Sequence, residues 1–180
     1  MRTGLQFGAR GGLMAAGGKI LVLGLGNALL GDDGVGVDVV DALRRGGVEE
    51  RRDVSVSARD GGTLGLALLP EIEDAWALIV VDAARFGGAP GEVRVFEGAA
   101  MDAQAGRARS SAHEVALADL VGAARLTGHL PAKRALVGVA PQSTQWGLAP
   151  SAAVAAALPA ACAAIEALLA RWSTPLPPAL

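Results

Sequence analysis

Among the side chains of this 180-residue chain that could bind a divalent metal ion, three fall at the predicted end of a strand or start of a helix: Asp33, Asp82 and His113. Two carboxylates and one imidazole form a mixed oxygen and nitrogen set that suits zinc, nickel or a similar ion. Each residue alone also has a structural explanation, Asp33 as a helix cap, Asp82 as a turn residue and His113 as a surface side chain. Their chemistry therefore depends on whether the fold brings them together.

The first of them lies in a glycine-rich stretch, GLGNALLGDDGVG, at residues 24–36. The apolar run KILVL at residues 19–23 predicts a buried strand before it, and apolar residues at helical spacing in 35–43 predict a helix after it. Asp32 and Asp33 thus fall where the helix begins, where one carboxylate is expected to cap free N–H groups. The second is expected to face the carboxyl edge of the sheet, where open α/β folds place their sites.

The same stretch only partly matches the glycine pattern of dinucleotide-binding folds. Gly24 and Gly26 supply the first two glycines of G-x-G-x-x-G, but Leu29 occupies the third position and Gly31 comes two residues late. The paired aspartates would also direct negative charge at a phosphate. A nucleotide-binding enzyme is therefore the disfavoured alternative.

Strands and helices alternate along the chain. The patterns predict further strands at residues 52–59, 76–81, 91–96 and 133–139, and helices at 64–69, after His113 and over 151–170. Ser110 or Ser111 is expected to cap the helix after His113, DGGT at 60–63 to form a turn, and a polar loop to contain Arg107 and Arg109.

This alternation predicts a single-domain α/β fold, a three-layer αβα sandwich around a mostly parallel sheet with 91–96 as an edge strand. Because right-handed crossovers gather the carboxyl ends of parallel strands, Asp33, Asp82 and His113 are expected to converge at one edge of that sheet.

The composition narrows the partners and the compartment. A formal net charge of −2 without a basic run argues against nucleic acid. The single cysteine, Cys162, leaves no internal disulfide and favours a reducing, cytoplasmic compartment; in its Ala-rich helix it is expected to be a buried apolar residue. Residues 151–170 have the length of a membrane span, but Pro159 and Glu166 interrupt them, so a packed helix is expected and no membrane contact.

Residues 1–18 are expected to form a flexible Gly-rich leader, 19–172 the domain, and 173–180 a Pro-rich tail.

Five motifs in order resemble those of the hydrogenase maturation endopeptidases, which trim the large subunit of nickel–iron hydrogenases. The resemblance covers residues 19 to about 172, and only the leader before Lys19 departs from the family pattern. The motifs are ILVLGLGNALLGDDGVGV at 20–37, DGGT at 60–63, LIVVDAA at 78–84, SAHEVALADLV at 111–121, and LVGVAPQ at 136–142 followed by WGLAPS.

The resemblance implies a five-stranded sheet and an endopeptidase that removes a short C-terminal peptide from the nickel-loaded large-subunit precursor. It assigns both the metal ligands and the catalytic residues to Asp33, Asp82 and His113. It implies that nickel arrives with the precursor, although zinc or another divalent ion could substitute. A monomer that meets this large partner is the expected state.

Two mechanisms and one further class of function stay open. The substrate's nickel, bridged by the three residues, could polarise the scissile carbonyl or activate water. Alternatively, Asp33 and Asp82 could act as an acid/base pair while nickel supplies position, an aspartic-type mechanism. The ligand set favours the first, since a histidine completes it better than it completes an aspartic dyad. The alternative function is a non-catalytic chaperone that binds nickel and precursor on the same fold.

Overall fold

The structure, a computed structural model, describes residues 18–107 and 112–173. Outside the described residues lie 1–17 of the predicted leader, the predicted caps Ser110 and Ser111, and residues 174–180. The described elements are, in order, β1 (Ile20–Leu25), α1 (Val35–Arg45), β2 (Val56–Gly62), α2 (Leu69–Glu73), β3 (Ala77–Ala83), β4 (Val93–Glu97), α3 (Ala99–Arg107), α4 (Ala112–Leu126), β5 (Lys133–Val139) and α5 (Ala152–Ser173).

The sheet has five strands in the order β2-β1-β3-β5-β4. Neighbouring strands run parallel except for β4, which pairs antiparallel with β5 at the edge. The predicted α/β sandwich, its mostly parallel sheet and its edge strand at 91–96 are therefore confirmed.

Helices cover both faces of this sheet. Along β1, Ile20 and Val22 pack against α1 and α5, whereas Leu21 and Leu23 pack against α2, α3 and α4. All six residues of β1 and all seven of β3 are buried. Central strands enclosed on both faces read as continuous apolar runs, which is why the sequence predicted them well.

The start of α1 lies unusually close to the central strands. A Cβ added to Gly36 would lie 2.2 Å from the Leu25 carbonyl oxygen and 2.4 Å from that of Val81, and one added to Gly24 would lie 2.3 Å from the Gly36 carbonyl oxygen. Only glycines permit this backbone approach. The glycine-rich stretch thus presses the residues before α1 against β1 and β3.

Two strands end later than the sequence predicted, and β2 also begins later, at Val56 instead of residue 52. Asp82 was expected to follow its strand, but it lies within β3, opposite Gly138 of β5. The expected turn at 60–63 is also wrong in part, because Asp60 pairs with Gly24 and Gly62 with Leu25, which leaves Gly61 in a bulge of β2. In both cases pairing with a neighbouring strand overrides the local turn signal.

Two helical predictions were also wrong. The polar loop was expected to contain Arg107, but this residue ends α3, a helix with a buried face that includes Met101 and Ala105. The other expected loop residue, Arg109, lies outside the described residues. The helix expected to stop near Pro70 instead passes from a 3₁₀ turn at Gly65–Leu68 into α2, where Pro70 occupies the first turn. A proline is tolerated there because that N–H has no helical partner.

The long C-terminal helix α5 begins at Ala152, well before Pro159, and continues through that proline. By length and composition it could cross a membrane. One face, however, is buried in the core against α1, β1, β3 and β5, including Val154, Ile165 and Leu169. The prediction of a packed helix is confirmed.

We expect Gly36→Ala to destabilise the fold by about 3 kcal/mol or more, because the new methyl group would overlap two backbone carbonyls that cannot move independently. Gly122→Ala in α4 is the matched control, since no described heavy atom lies within 4 Å of its added Cβ. The control should gain up to about 1 kcal/mol from helix propensity. Urea unfolding of both variants checks this, and equal midpoints would contradict it.

Candidate active site

Asp33 lies in a 3₁₀ turn, Gly31–Gly34, between β1 and α1. Only 4% of the residue is exposed, and its Oδ2 accepts a hydrogen bond of 2.9 Å from the Asn27 N–H. The loop closes tightly here, because Gly26 has a φ of 123° and a Cβ on it would lie 1.8 Å from the Asp33 carbonyl oxygen. The backbone therefore fixes the place of this carboxylate.

Asp82 lies on β3 and is also 4% exposed. Because side chains two residues apart share one face of a strand, Asp82 lies on the same face of β3 as Leu78 and Val80, the face that α3 and α4 cover. Asp82 lines a small pocket there with Gln104 and Leu117, among other residues. Gln104 is buried and donates a hydrogen bond of 3.0 Å to the Arg85 carbonyl oxygen.

The structure brings the Asp33 turn beside the end of β3. Gly36, three residues after Asp33, lies against the carbonyl of Val81, which directly precedes Asp82. Both aspartates are thus buried where β1 and β3 end, at the carboxyl edge of the sheet, as the sequence predicted.

The third predicted residue, His113, belongs to the first turn of α4. Its side chain lies outside the described part of the structure, so its contact with the two aspartates stays a prediction. Among the side chains that are described, no group of three His, Cys, Asp or Glu residues is placed to hold a metal ion. The other histidine, His129, is exposed in the loop beyond the end of α4.

No pattern in the sequence indicated the role of Asp32, which is the most buried of the described carboxylates. It is 1% exposed and binds the loop between β5 and α5. Its Oδ2 accepts the N–H groups of Gln142 (2.8 Å) and Ser143 (2.9 Å), and its Oδ1 accepts that of Ser151 (2.5 Å). The Ser151 hydroxyl adds a fourth bond of 3.0 Å.

These bonds decide the charge of Asp32. Burial alone would raise the pKa of its carboxyl, but the hydrogen bonds from Ser143, Ser151 and Gln142 stabilise the anion and bring the pKa below the ordinary 3.8. Asp32 is therefore ionised at neutral pH and is fully occupied in joining two loops. Asp32 therefore connects two loops instead of capping α1 as predicted, since its partners lie more than a hundred residues further along the chain.

Cys162 was expected to be buried, but it is less buried than the sequence predicted. It is half-buried on α5 and lies against the core. Burial, with a smaller contribution from the charge of Glu166, raises the pKa of its thiol above 9.0. A thiol in this state is a poor nucleophile at neutral pH.

Comparison with known proteins agrees with this architecture. A family model described as hydrogenase maturation protease matches residues 37–168. The Hydrogenase 2 maturation protease of Escherichia coli (strain K12) is 38% identical over 138 residues, which cover 74% of this chain and 80% of that protein. The hydrogenase expression/formation protein HupD of Rhodobacter capsulatus is 37% identical over 123 residues, 68% of this chain and 57% of that relative. The match thus spans little more than half of HupD.

The similarity extends to three dimensions. The solved structure of the hydrogenase maturating endopeptidase HybD from E. coli superposes with a TM-score of 0.75 at 34% identity, over 85% of this chain and 93% of that one. The chain therefore belongs to the hydrogenase maturation protease family. The expectation of a hydrogenase maturation endopeptidase is confirmed, whereas the identity of the cutting residues stays a prediction.

We expect Asp32→Asn to lower the free energy of unfolding by about 3 kcal/mol at pH 7, because an amide cannot accept all four hydrogen bonds. Asp41→Asn on the surface of α1 should change it by less than about 0.5 kcal/mol.

The pH dependence provides a second check. A folded-state pKa below the unfolded value means that Asp32 stabilises the fold above the unfolded pKa, and that this contribution is lost as pH falls through the folded pKa. The difference in the free energy of unfolding between wild type and Asp32→Asn, measured by chemical denaturation, should therefore become smaller below about pH 4. A difference in unfolding free energy that does not change with pH would contradict the role of ionised Asp32 in connecting the two loops.

Proposed function

We propose that this endopeptidase removes a short C-terminal peptide from the nickel-loaded large-subunit precursor of a nickel–iron hydrogenase, with Asp33, Asp82 and His113 binding the nickel of the substrate. A cytoplasmic location and a monomeric state are part of the same proposal. The hydrogenase maturation names of its relatives support the choice of substrate.

The observation that carries the proposal is the burial of Asp33 and Asp82 at the same edge of the sheet. Two buried carboxylates at the carboxyl edge of an α/β sheet are candidates for binding a cation or transferring a proton. The register of α4 supports the third residue. Leu117 lines the pocket beside Asp82, and His113 lies four residues earlier, at a position on the same helical face.

This set suits a metal ion that arrives with the substrate. Two carboxylates and one imidazole leave further coordination positions for ligands from the precursor, so docking would bring the scissile bond to the metal. A dication there can polarise the scissile carbonyl or lower the pKa of an attacking water. The protein's own contribution would be to hold the metal and the bond in register, a proximity effect.

The competing mechanism uses the same residues differently. Asp33 and Asp82 would exchange a proton with water and the leaving amine, and nickel would only position the chain. We favour the metal-bridged mechanism, because a histidine completes a metal-ligand set better than it completes an aspartic dyad.

We expect Asp33→Asn, Asp82→Asn and His113→Ala each to lower kcat/KM by at least about 100-fold, because each removes a metal ligand or proton-transfer group. His129→Ala is the matched control and should cut at the wild-type rate, since His129 is exposed beyond the far end of α4. Intact mass of the precursor, incubated with each variant, reports loss of the C-terminal peptide.

The outcomes separate the functions that remain open. Equal cleavage by wild type and His113→Ala would refute the three-residue assignment. Binding without cleavage of a precursor proven to contain nickel, from the same source, would favour the non-catalytic chaperone. A thermal shift with NAD or flavin but none with nickel or zinc would favour a nucleotide-binding enzyme.

We further expect cleavage to require nickel in the precursor. A nickel-free precursor should show no loss of mass above background, because the peptidase would lack the ion that its carboxylates bind. Reconstitution of that precursor with nickel should restore cleavage, and reconstitution with zinc tests whether another divalent ion substitutes. Full cleavage of the nickel-free precursor would favour the acid/base mechanism.

A further inference from the structure

Large apolar side chains are exposed mainly at one edge of the sheet. Five of the eight in the described residues follow the carboxyl ends of parallel strands: Leu29 after β1, Leu64 and Leu66 after β2, and Trp146 and Leu148 after β5. Trp146 is 75% exposed and Leu148 is 80% exposed. Isolated exposed leucines are ordinary, but a cluster bordering a site marks a binding surface.

Three of these residues form one surface, which we call the apolar rim: Leu29, Trp146 and Leu148. Leu30 and Gly147 form a parallel bridge, in which the Gly147 N–H donates to the Leu29 carbonyl (3.0 Å) and the Gly31 N–H donates to the Gly147 carbonyl (2.8 Å). Because Trp146 and Leu148 flank Gly147, this pairing brings the segment that carries them alongside the turn that carries Leu29.

The rim is held in place and adjoins the candidate site. Asp32 binds Gln142, Ser143 and Ser151, the residues that bracket the loop carrying Trp146 and Leu148. Asp33 is the next residue after Asp32 and closes the turn that carries Leu29 through its bond with Asn27. Hydrogen bonds therefore fix the apolar rim in place, and the rim is continuous with the turn that positions Asp33.

We propose that the apolar rim docks an apolar, uncharged stretch of the precursor polypeptide next to the scissile bond. This inference rests on the proposed function, because an endopeptidase must hold a chain on at least one side of the bond that it cuts. The chemistry of the occupant follows from the two segments that carry the rim. Residues 135–165 contain no charged side chain, and neither do residues 24–31.

The test uses Trp146→Ser and Leu148→Ser in the full-length chain, with Leu126→Ser as the matched control. Leu126 is 90% exposed, but it ends α4 at the opposite edge of the sheet. The KM for nickel-loaded precursor is measured in otherwise wild-type protein. The Kd is measured by calorimetry in a His113→Ala background, in which turnover is expected to be at least about 100-fold slower.

Each rim variant should raise KM and Kd about tenfold with kcat unchanged, since each removes one buried apolar side chain from the complex. Leu126→Ser should change neither constant. Because docking is apolar, wild-type KM should vary less than about twofold between roughly 0.05 M and 0.5 M salt. Thermal melts and size-exclusion chromatography accompany each variant.

Other results overturn the inference in distinguishable ways. Wild-type cleavage with equal constants for all three variants refutes the rim and leaves the proposed function intact. If the precursor binds through the rim but is not cleaved, the proposed function is refuted and the rim inference is supported. If the precursor is neither bound nor cleaved, both are refuted. A wild-type dimer that the rim variants dissociate would assign the surface to a second copy of this chain.

Discussion

The buried carboxylate of Asp32 joins the two loops on which the site depends. Its hydrogen bonds to the loop between β5 and α5 connect segments that are far apart in the chain, and burial makes each bond costly to lose. The 3₁₀ turn before α1 and the loop of Trp146 are consequently held as one unit. The apolar rim and the position of Asp33 are fixed by the same interaction.

Adjacent aspartates therefore have different tasks. Asp32 uses both oxygens to bind the loop after β5, whereas Asp33 accepts an N–H from its own turn. The tight 3₁₀ turn separates the two side chains, and the close approach at Gly36 places that turn against β3. Rigid elements thus position Asp33 and Asp82, while loops supply the surrounding surface, an arrangement common in α/β enzymes.

Much of this fold could be predicted from the sequence because the central strands are covered on both faces. The run that became β5 was predicted to the residue, at Lys133–Val139. The helix α3 was missed because its sequence is short and rich in small residues, which gives a weak periodic signal. Asp33 and Asp82 could be assigned to one edge from topology alone, but the task of Asp32 could not, since its partners are distant in sequence and are mostly backbone groups.

Both borders of the sheet differ from the regular strands inside it. On one side β4 carries Arg94 and Glu97, whose charges lie on an exposed strand, and Glu97 pairs with Arg171 of α5. On the other side β2 is interrupted at Gly61. Charged side chains and bulges discourage another strand from adding to an open edge, so these borders protect the folded chain against edge-to-edge aggregation at high concentration.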